Sequence, residues 1–146
     1  MYSNCACPCF LRNPFIQATP DYPGVKWVPA STGGYEAANR PKDYPIEGIV
    51  IHTMQGTFDG STDWFQNPQA KVSAHYLIGS DGRIEQMVQE KDIAYHAGSM
   101  KFNDRTIGIE HEGYVDQPKW YTPKLFDASA RLAAYLAKKY NIPLVH

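Results

Sequence analysis

The chain has 146 residues, 43% of them apolar and 13% aromatic, a composition typical of one globular domain rather than a disordered chain. With 14 basic and 15 acidic residues the net charge is −1, so nothing in the charge favours nucleic acid or an acidic membrane as partner. The sequence has no apolar run of the about 18 residues that a membrane span needs.

The N-terminal residues carry all three cysteines of the chain, Cys5, Cys7 and Cys9. This region lacks the basic and long apolar segments of a secretory signal. An odd number of cysteines at alternating positions is poor evidence for a disulfide framework, and such a cluster binds soft metals only adventitiously. We therefore interpret this region as a flexible arm.

Residues 10–45 are rich in proline and glycine, which predicts an extended lead rather than a helix or a central strand. We therefore divide the chain into an N-terminal arm and lead, residues 1–45, and a folded domain, residues 46–146. Four aromatic side chains are candidates for anchoring the lead to the domain surface: Tyr22, Trp27, Tyr35 and Tyr44.

The periodic part of the sequence begins at Glu47 and mixes strand and helix patterns. The β-branched run GIVIHT predicts a buried strand, and STDWFQNP predicts a short helix with a Ser/Thr start and a proline stop. A glycine-containing turn between residues 75–78 and 84–88 predicts a hairpin. The alternation in TIGIEHEG predicts a further strand, with Ile107, Ile109 and His111 on one face and Glu110 and Glu112 on the other.

The strongest helix signal follows Thr122, which is a suitable cap, and Pro123, which suits the first helical position. Apolar positions then recur on one stripe of this helix. Strands, helices and a hairpin together predict a mixed α/β fold, with a central mixed sheet flanked by helices. The buried stripe of the helix is expected to contain Leu125, Ser129, Leu132 and Leu136.

Two features are candidates for chemistry. His52 ends a buried strand and faces a glycine-containing loop, which is where sites are commonly built. Glu110 and Glu112 form either a solvated strand face or a carboxylate pair that includes a general base. The helical HExxH zinc motif does not fit HEGYV, and GxSxG, P-loop and GxGxxG motifs are absent from the sequence. The cysteines also lack the setting of a catalytic thiol.

Four ordered motifs resemble the type 2 family of zinc-dependent N-acetylmuramoyl-L-alanine amidases, whose fold is shared by peptidoglycan recognition proteins and phage amidases. The motifs run over about two thirds of the chain, from Glu47 to the C-terminus. They are GIVIHTMQGT, VSAHYLIGSDGRIEQMV, IAYHAG and NDRTIGIEHEGYV.

The resemblance implies roles for individual residues. His52 matches the first zinc ligand and Glu110 the general base of the family's IGIE motif. Some members use instead a tyrosine immediately before the SAHY histidine; this chain has Ala74 there, which favours Glu110. Three further residues match positions near the cleft and are predicted to line the substrate site: His75, Tyr95 and His96.

The resemblance also implies two more zinc ligands in a segment that follows the long helix. In this chain only His146 follows that helix as a candidate, and it lacks the Gly-His context of the family. Because a catalytic zinc needs three protein ligands, we expect the chain to be a C-terminally truncated amidase domain.

The implied activity is zinc-dependent hydrolysis of the amide bond between N-acetylmuramic acid and L-alanine in peptidoglycan. The alternative is a non-catalytic module of the same fold that binds peptidoglycan. We expect a monomer that acts in the cell wall or outside the cell, although a phage-encoded role or recycling of wall fragments in the cytoplasm would also fit the family.

We expect the 146-residue chain by itself to bind zinc weakly and to be inactive, because one imidazole cannot hold the ion tightly. Isothermal titration of the chain with zinc measures this. Submicromolar 1:1 binding at a site other than the Cys5–Cys9 arm would contradict it.

Overall fold

The computed structural model describes residues 18–143, in which five strands form one mixed sheet and two short strands form a separate antiparallel pair. The strands are β1 (Lys26–Trp27), β2 (Tyr35–Glu36), β3 (Gly48–Thr53), β4 (Tyr76–Ile78), β5 (Ile84–Gln86), β6 (Ile93–Ala94) and β7 (Thr106–His111). The main sheet has the order β1-β5-β4-β7-β3. In this sheet only the β4–β5 hairpin is antiparallel, so the carboxyl ends of β3, β4 and β7 lie at the same end of the sheet.

Three α-helices accompany the sheet: α1 (Phe58–Gln66), α2 (Met100–Asn103) and α3 (Pro123–Tyr140). Helix α1 begins at Phe58, three residues before the predicted start at Ser61, because Thr57 caps it by accepting the amide of Gly60. The predicted cap of α3 is confirmed, since the Thr122 hydroxyl accepts the Leu125 amide at 3.1 Å. Within residues 18–143, no helix combines the length and the apolar character needed to cross a membrane.

The helices cover opposite faces of the sheet, which confirms the predicted mixed α/β architecture. Helix α3 buries the predicted stripe, including Ser129, against Ile107 and Ile109 of β7. Helix α1 buries Phe58 and Phe65 against Leu77 on the other face. Burial of side chains of this size contributes about 1.5–3 kcal/mol each, so the two clusters fix both helices on the sheet.

The described part of the N-terminal lead is built into the same fold. Strand β1 pairs with β5 at the edge of the main sheet, and the Tyr22 ring packs on Tyr135 of α3 with centroids 4.9 Å apart. Arg40 is buried and donates to the backbone oxygens of residues 90, 103, 104 and 106. The three cysteines and His146 lie outside the described residues.

Glu112 differs from its predicted placement beside Glu110 on one strand face. Strand β7 ends at His111, and the Glu112 carboxylate is buried. It accepts the Phe58 amide at 2.9 Å, and the amide and hydroxyl of Ser80 at 2.7 Å each. Glu112 therefore connects the end of β7 to the β4–β5 turn and to the N-terminus of α1. Its negative charge at this N-terminus also interacts favourably with the helix dipole.

Burial alone would raise the pKa of Glu112, but the hydrogen bonds from Ser80 and Phe58 outweigh it and lower the pKa below the ordinary value. A carboxyl group whose pKa is lower in the folded state stabilises the fold above its unfolded-state pKa. That stabilisation is lost as the pH falls through the folded-state pKa.

We therefore expect Glu112→Gln to lower the free energy of unfolding by about 1–3 kcal/mol at neutral pH, because an amide nitrogen would face backbone N–H donors. The difference from wild type should shrink in acid, as the pH falls through the lowered folded-state pKa and the carboxyl takes up a proton. Urea unfolding at about pH 7 and pH 3 measures both values, with exposed Glu36→Gln as the matched control. An equal destabilisation at both pH values would contradict the role of the charge.

Candidate active site

The parallel pairing of β3 with β7 places His52 directly beside Glu110 on the same face of the sheet. Both residues lie near the carboxyl ends of their strands, the usual location of ligand sites in sheets of this kind. A cleft of about 490 Å³ opens there and is lined by the loop after β3, by α1, and by Glu110 and Tyr114. The two residues predicted as ligand and base are thus neighbours at one end of the sheet.

Glu110 is the acidic group of this cleft. Its Oε2 atom is buried and has no hydrogen-bond partner among residues 18–143. Burial raises the pKa of the Glu110 carboxyl to about 7. A carboxyl group with a pKa near neutrality can both remove and return a proton, which is the requirement for general acid–base catalysis.

The second group is a chain of hydrogen bonds that joins two imidazoles to β7. His52 Nε2 lies 3.0 Å from His96 Nδ1, and His96 Nε2 lies 3.1 Å from Thr106 Oγ1. The Thr106 hydroxyl donates to the carbonyl oxygen of Phe102 at 2.6 Å, so its oxygen accepts from His96. It follows that His96 carries its proton on Nε2. The Nδ1 atom of His96 accepts a hydrogen bond from the Nε2–H group of His52, so the lone pair of the His52 ring is on Nδ1.

Both imidazoles are neutral in this arrangement. Burial lowers the pKa of His52, and burial together with the neighbouring His52 and Arg40 lowers the pKa of His96 to about 4. The His96 ring occupies the space over Gly108 of β7: a Cβ built on this glycine would lie 2.3 Å from His96 Cγ. A glycine inside a strand is the sequence signal for such a close approach, although it does not say which group approaches.

His75 does not reach the cleft. Its side chain is fully buried, its Nδ1 accepts the amide of Gly108 at 3.0 Å, and its Nε2 lies 2.7 Å from Nη2 of Arg40. Burial and the Arg40 charge hold the pKa of His75 well below its ordinary value. His75 was predicted to line the substrate site, but its buried side chain lies between Arg40 and β7 and has a structural role there.

Tyr95 and His96 are half-buried, and contact of either with a substrate stays a prediction. The sequence pattern did not single out Arg40, Trp64 or Gly108. Arg40 lies in the proline-rich lead, where no periodicity marks a buried side chain. Trp64 lies in the predicted short helix, where a tryptophan more commonly serves the core.

The expected zinc site is not completed by the described residues. Zinc in a catalytic site takes three protein ligands. From Ala18 to Pro143, no group of three His, Cys, Asp or Glu side chains is placed to hold a metal ion. His52 offers one lone pair, on Nδ1, and its other ring nitrogen is hydrogen-bonded to His96.

The packing of His96 on Gly108 can be tested by substitution. We expect Gly108→Ala to displace the imidazole, to break its bond to His52 and to lower the stability by about 1–3 kcal/mol. The ring ¹⁵N and ¹H NMR signals of both histidines report the displacement. Gly48→Ala on the neighbouring strand is the matched control, since a Cβ there meets Thr106 Cγ2 at an ordinary 3.5 Å. Unchanged ring signals in Gly108→Ala would contradict the packing.

Comparison with known proteins gives consistent relatives. The chain is 41% identical over 123 residues to N-acetylmuramoyl-L-alanine amidase A of Achromobacter lyticus, covering 84% of this chain and 66% of that protein. It is 41% identical to the 1,6-anhydro-N-acetylmuramyl-L-alanine amidase AmpD of Haemophilus influenzae, with 69% and 67% covered. A crystal structure of a selenomethionine derivative of AmpD superposes with a TM-score of 0.65 at 28% identity, over 82% of this chain and 77% of that one.

The chain spans about two thirds of the length of the first two relatives. The family model described as N-acetylmuramoyl-L-alanine amidase matches residues 42–146, which is more than half of the chain. The chain therefore belongs to the type 2 family of N-acetylmuramoyl-L-alanine amidases, as its four motifs indicate.

Proposed function

We propose that this protein hydrolyses the amide bond between the lactyl group of N-acetylmuramic acid and L-alanine in peptidoglycan. The observation that carries the proposal is the Glu110 carboxyl, which lines the cleft, has a buried Oε2 atom without a partner among the described residues, and has a pKa of about 7. Relatives named as amidases of this bond class support the same conclusion.

Amide hydrolysis needs a group that moves protons at one place in the site. Glu110 in its ionised form accepts a proton at Oε2 from the attacking water. The protonated carboxyl then gives that proton to the leaving nitrogen of L-alanine. A base whose pKa is close to the working pH performs both transfers with small barriers.

Zinc dependence is part of the proposal through His52 alone. The family's zinc would use His52 as one ligand, and Nδ1 is the ring nitrogen with a free lone pair. The described residues do not complete a zinc site. We place the action on wall material, outside the cytoplasm or at lysis.

The other candidate is a module of the same fold that binds peptidoglycan without cleaving it. Such a module has no need of a cleft-lining carboxyl whose buried oxygen has no partner among the described residues, because burial of this group without a partner costs stability. The placement of Glu110 therefore favours the enzyme.

We expect Glu110→Gln to lower turnover of peptidoglycan by about 10²–10⁴-fold, because the amide cannot accept the proton of water. The sample is the protein expressed from the complete reading frame that encodes this chain. The assay measures hydrolysis of the bond between the lactyl group of muramic acid and L-alanine in purified walls. In the wild type, kcat/KM should rise with pH through about 7 as Glu110 ionises, and Glu110→Gln should lack this rise.

A stability measurement separates loss of the base from loss of the fold. The folded state raises the pKa of Glu110, so ionisation destabilises the fold as the pH rises through about 7. Glu110→Gln should therefore melt higher than the wild type at about pH 8. Wild-type turnover in Glu110→Gln would mean that another residue is the base. The control is Glu36→Gln at an exposed position, which should change neither turnover nor melting temperature.

A further inference from the structure

The cleft has an aromatic wall that the proposed proton transfers do not use. Trp64 of α1 is 50% exposed, although the next residue, Phe65, is buried in the core. The helix is fixed by Phe65, so the indole of Trp64 is left on the open side, where it lines the cleft together with Tyr114. A large aromatic side chain kept at the surface of a cleft is typical of a ligand contact rather than of core packing.

Most of the remaining lining residues are small or polar and uncharged, and Met54 and Phe65 add apolar surface. One turn before Trp64 the helix presents Gly60 and Ser61, which leave space beside the indole, and Gln55 and Thr57 come from the preceding loop. Among the lining side chains, all of them in the described part of the chain, Glu110 is the only one that carries a charge. The cleft thus offers hydrogen-bonding groups and aromatic surface, and no cation.

From this lining we propose that the α1 side of the cleft is the glycan subsite, in which Trp64 stacks against an acetamido sugar ring of the peptidoglycan chain. This inference rests on the proposed function and adds which part of the substrate the α1 wall takes. Trp64 is the specificity-determining residue of this subsite.

The chemistry of the two halves of the substrate decides the assignment. A glycan strand is neutral where its lactyl groups are in amide linkage. Its C–H faces stack on aromatic rings, and its hydroxyl groups bind polar side chains such as those of Thr57 and Ser61. A stem peptide carries free carboxylates. Such a group would find no positive side chain on this wall and would be repelled by ionised Glu110. The volume of about 490 Å³ lies within the about 300–1,000 Å³ typical of small-ligand sites.

The test uses a neutral glycan that an amidase cannot cleave, N,N′,N″-triacetylchitotriose, titrated into the folded chain and followed by ¹H–¹⁵N NMR of the three tryptophan indoles. We expect the Trp64 signal to shift on titration, and Trp64→Ala to weaken the dissociation constant about tenfold or more. Trp64→Phe should recover part of the affinity. Phe126→Ala is the matched control, because Phe126 is an exposed aromatic residue on a helix at 54% exposure and does not line the cleft.

A second titration with the stem dipeptide L-alanyl-γ-D-glutamate distinguishes the two halves of the substrate. Absence of a triose-dependent shift at Trp64, equal triose binding by wild type and Trp64→Ala, or loss of dipeptide rather than triose binding in Trp64→Ala would each overturn the inference. Full hydrolytic activity of Glu110→Gln combined with Trp64-dependent triose binding would overturn the proposed mechanism and leave the glycan subsite in place.

Discussion

The parallel register between β3 and β7 is the constraint on which the site depends. It pairs His52 with Glu110, and two residues earlier it pairs Val50 with Gly108. A shift of one residue in this register would place the side chains of His52 and Glu110 on opposite faces of the sheet. Gly108 is part of the same constraint, because the absent side chain leaves room for the His96 ring that holds His52 through a hydrogen bond.

Arg40 stabilises this arrangement from the other side of β7. Its guanidinium donates to four backbone carbonyls from three segments and lies against the buried His75. Burial lowers the pKa of Arg40 to about 10, which leaves it charged at neutral pH. Because a buried charge is tolerated only when it is hydrogen-bonded, Arg40 fixes the loops around α2 and β6 relative to β7, and with them the position of His96.

Local patterns in the sequence predicted the elements that depend on periodicity and capping. The β-branched run of β3, the alternation in β7 and the Thr122-Pro123 start of α3 each correspond to an observed element. The predicted burial of β3 is wrong, because β3 is an edge strand of the sheet and its Ile51 is 52% exposed. Contacts between distant segments carry no such signal. Arg40 acts 35 residues from His75, and Glu112 binds a turn and a helix that lie 32 and 54 residues away. The positions of His52 and Glu110 were predicted through family motifs, whereas the burial that separates His75 from the cleft follows from tertiary packing.

Glu110 and Glu112 show how the fold gives two nearby carboxyl groups different surroundings. The two carboxyl groups are two residues apart, yet the pKa of Glu110 is raised and that of Glu112 is lowered. Both are withdrawn from water, so the difference lies in the donors: Glu112 receives two backbone amides and a hydroxyl, while Oε2 of Glu110 receives none among residues 18–143. The β7 strand ends between them, which lets Glu112 turn to the α1 N-terminus and leaves Glu110 facing the cleft. The raised pKa of Glu110 therefore depends on the place where the strand stops, since any residue that supplied a donor to its Oε2 would lower that pKa and move it away from neutrality.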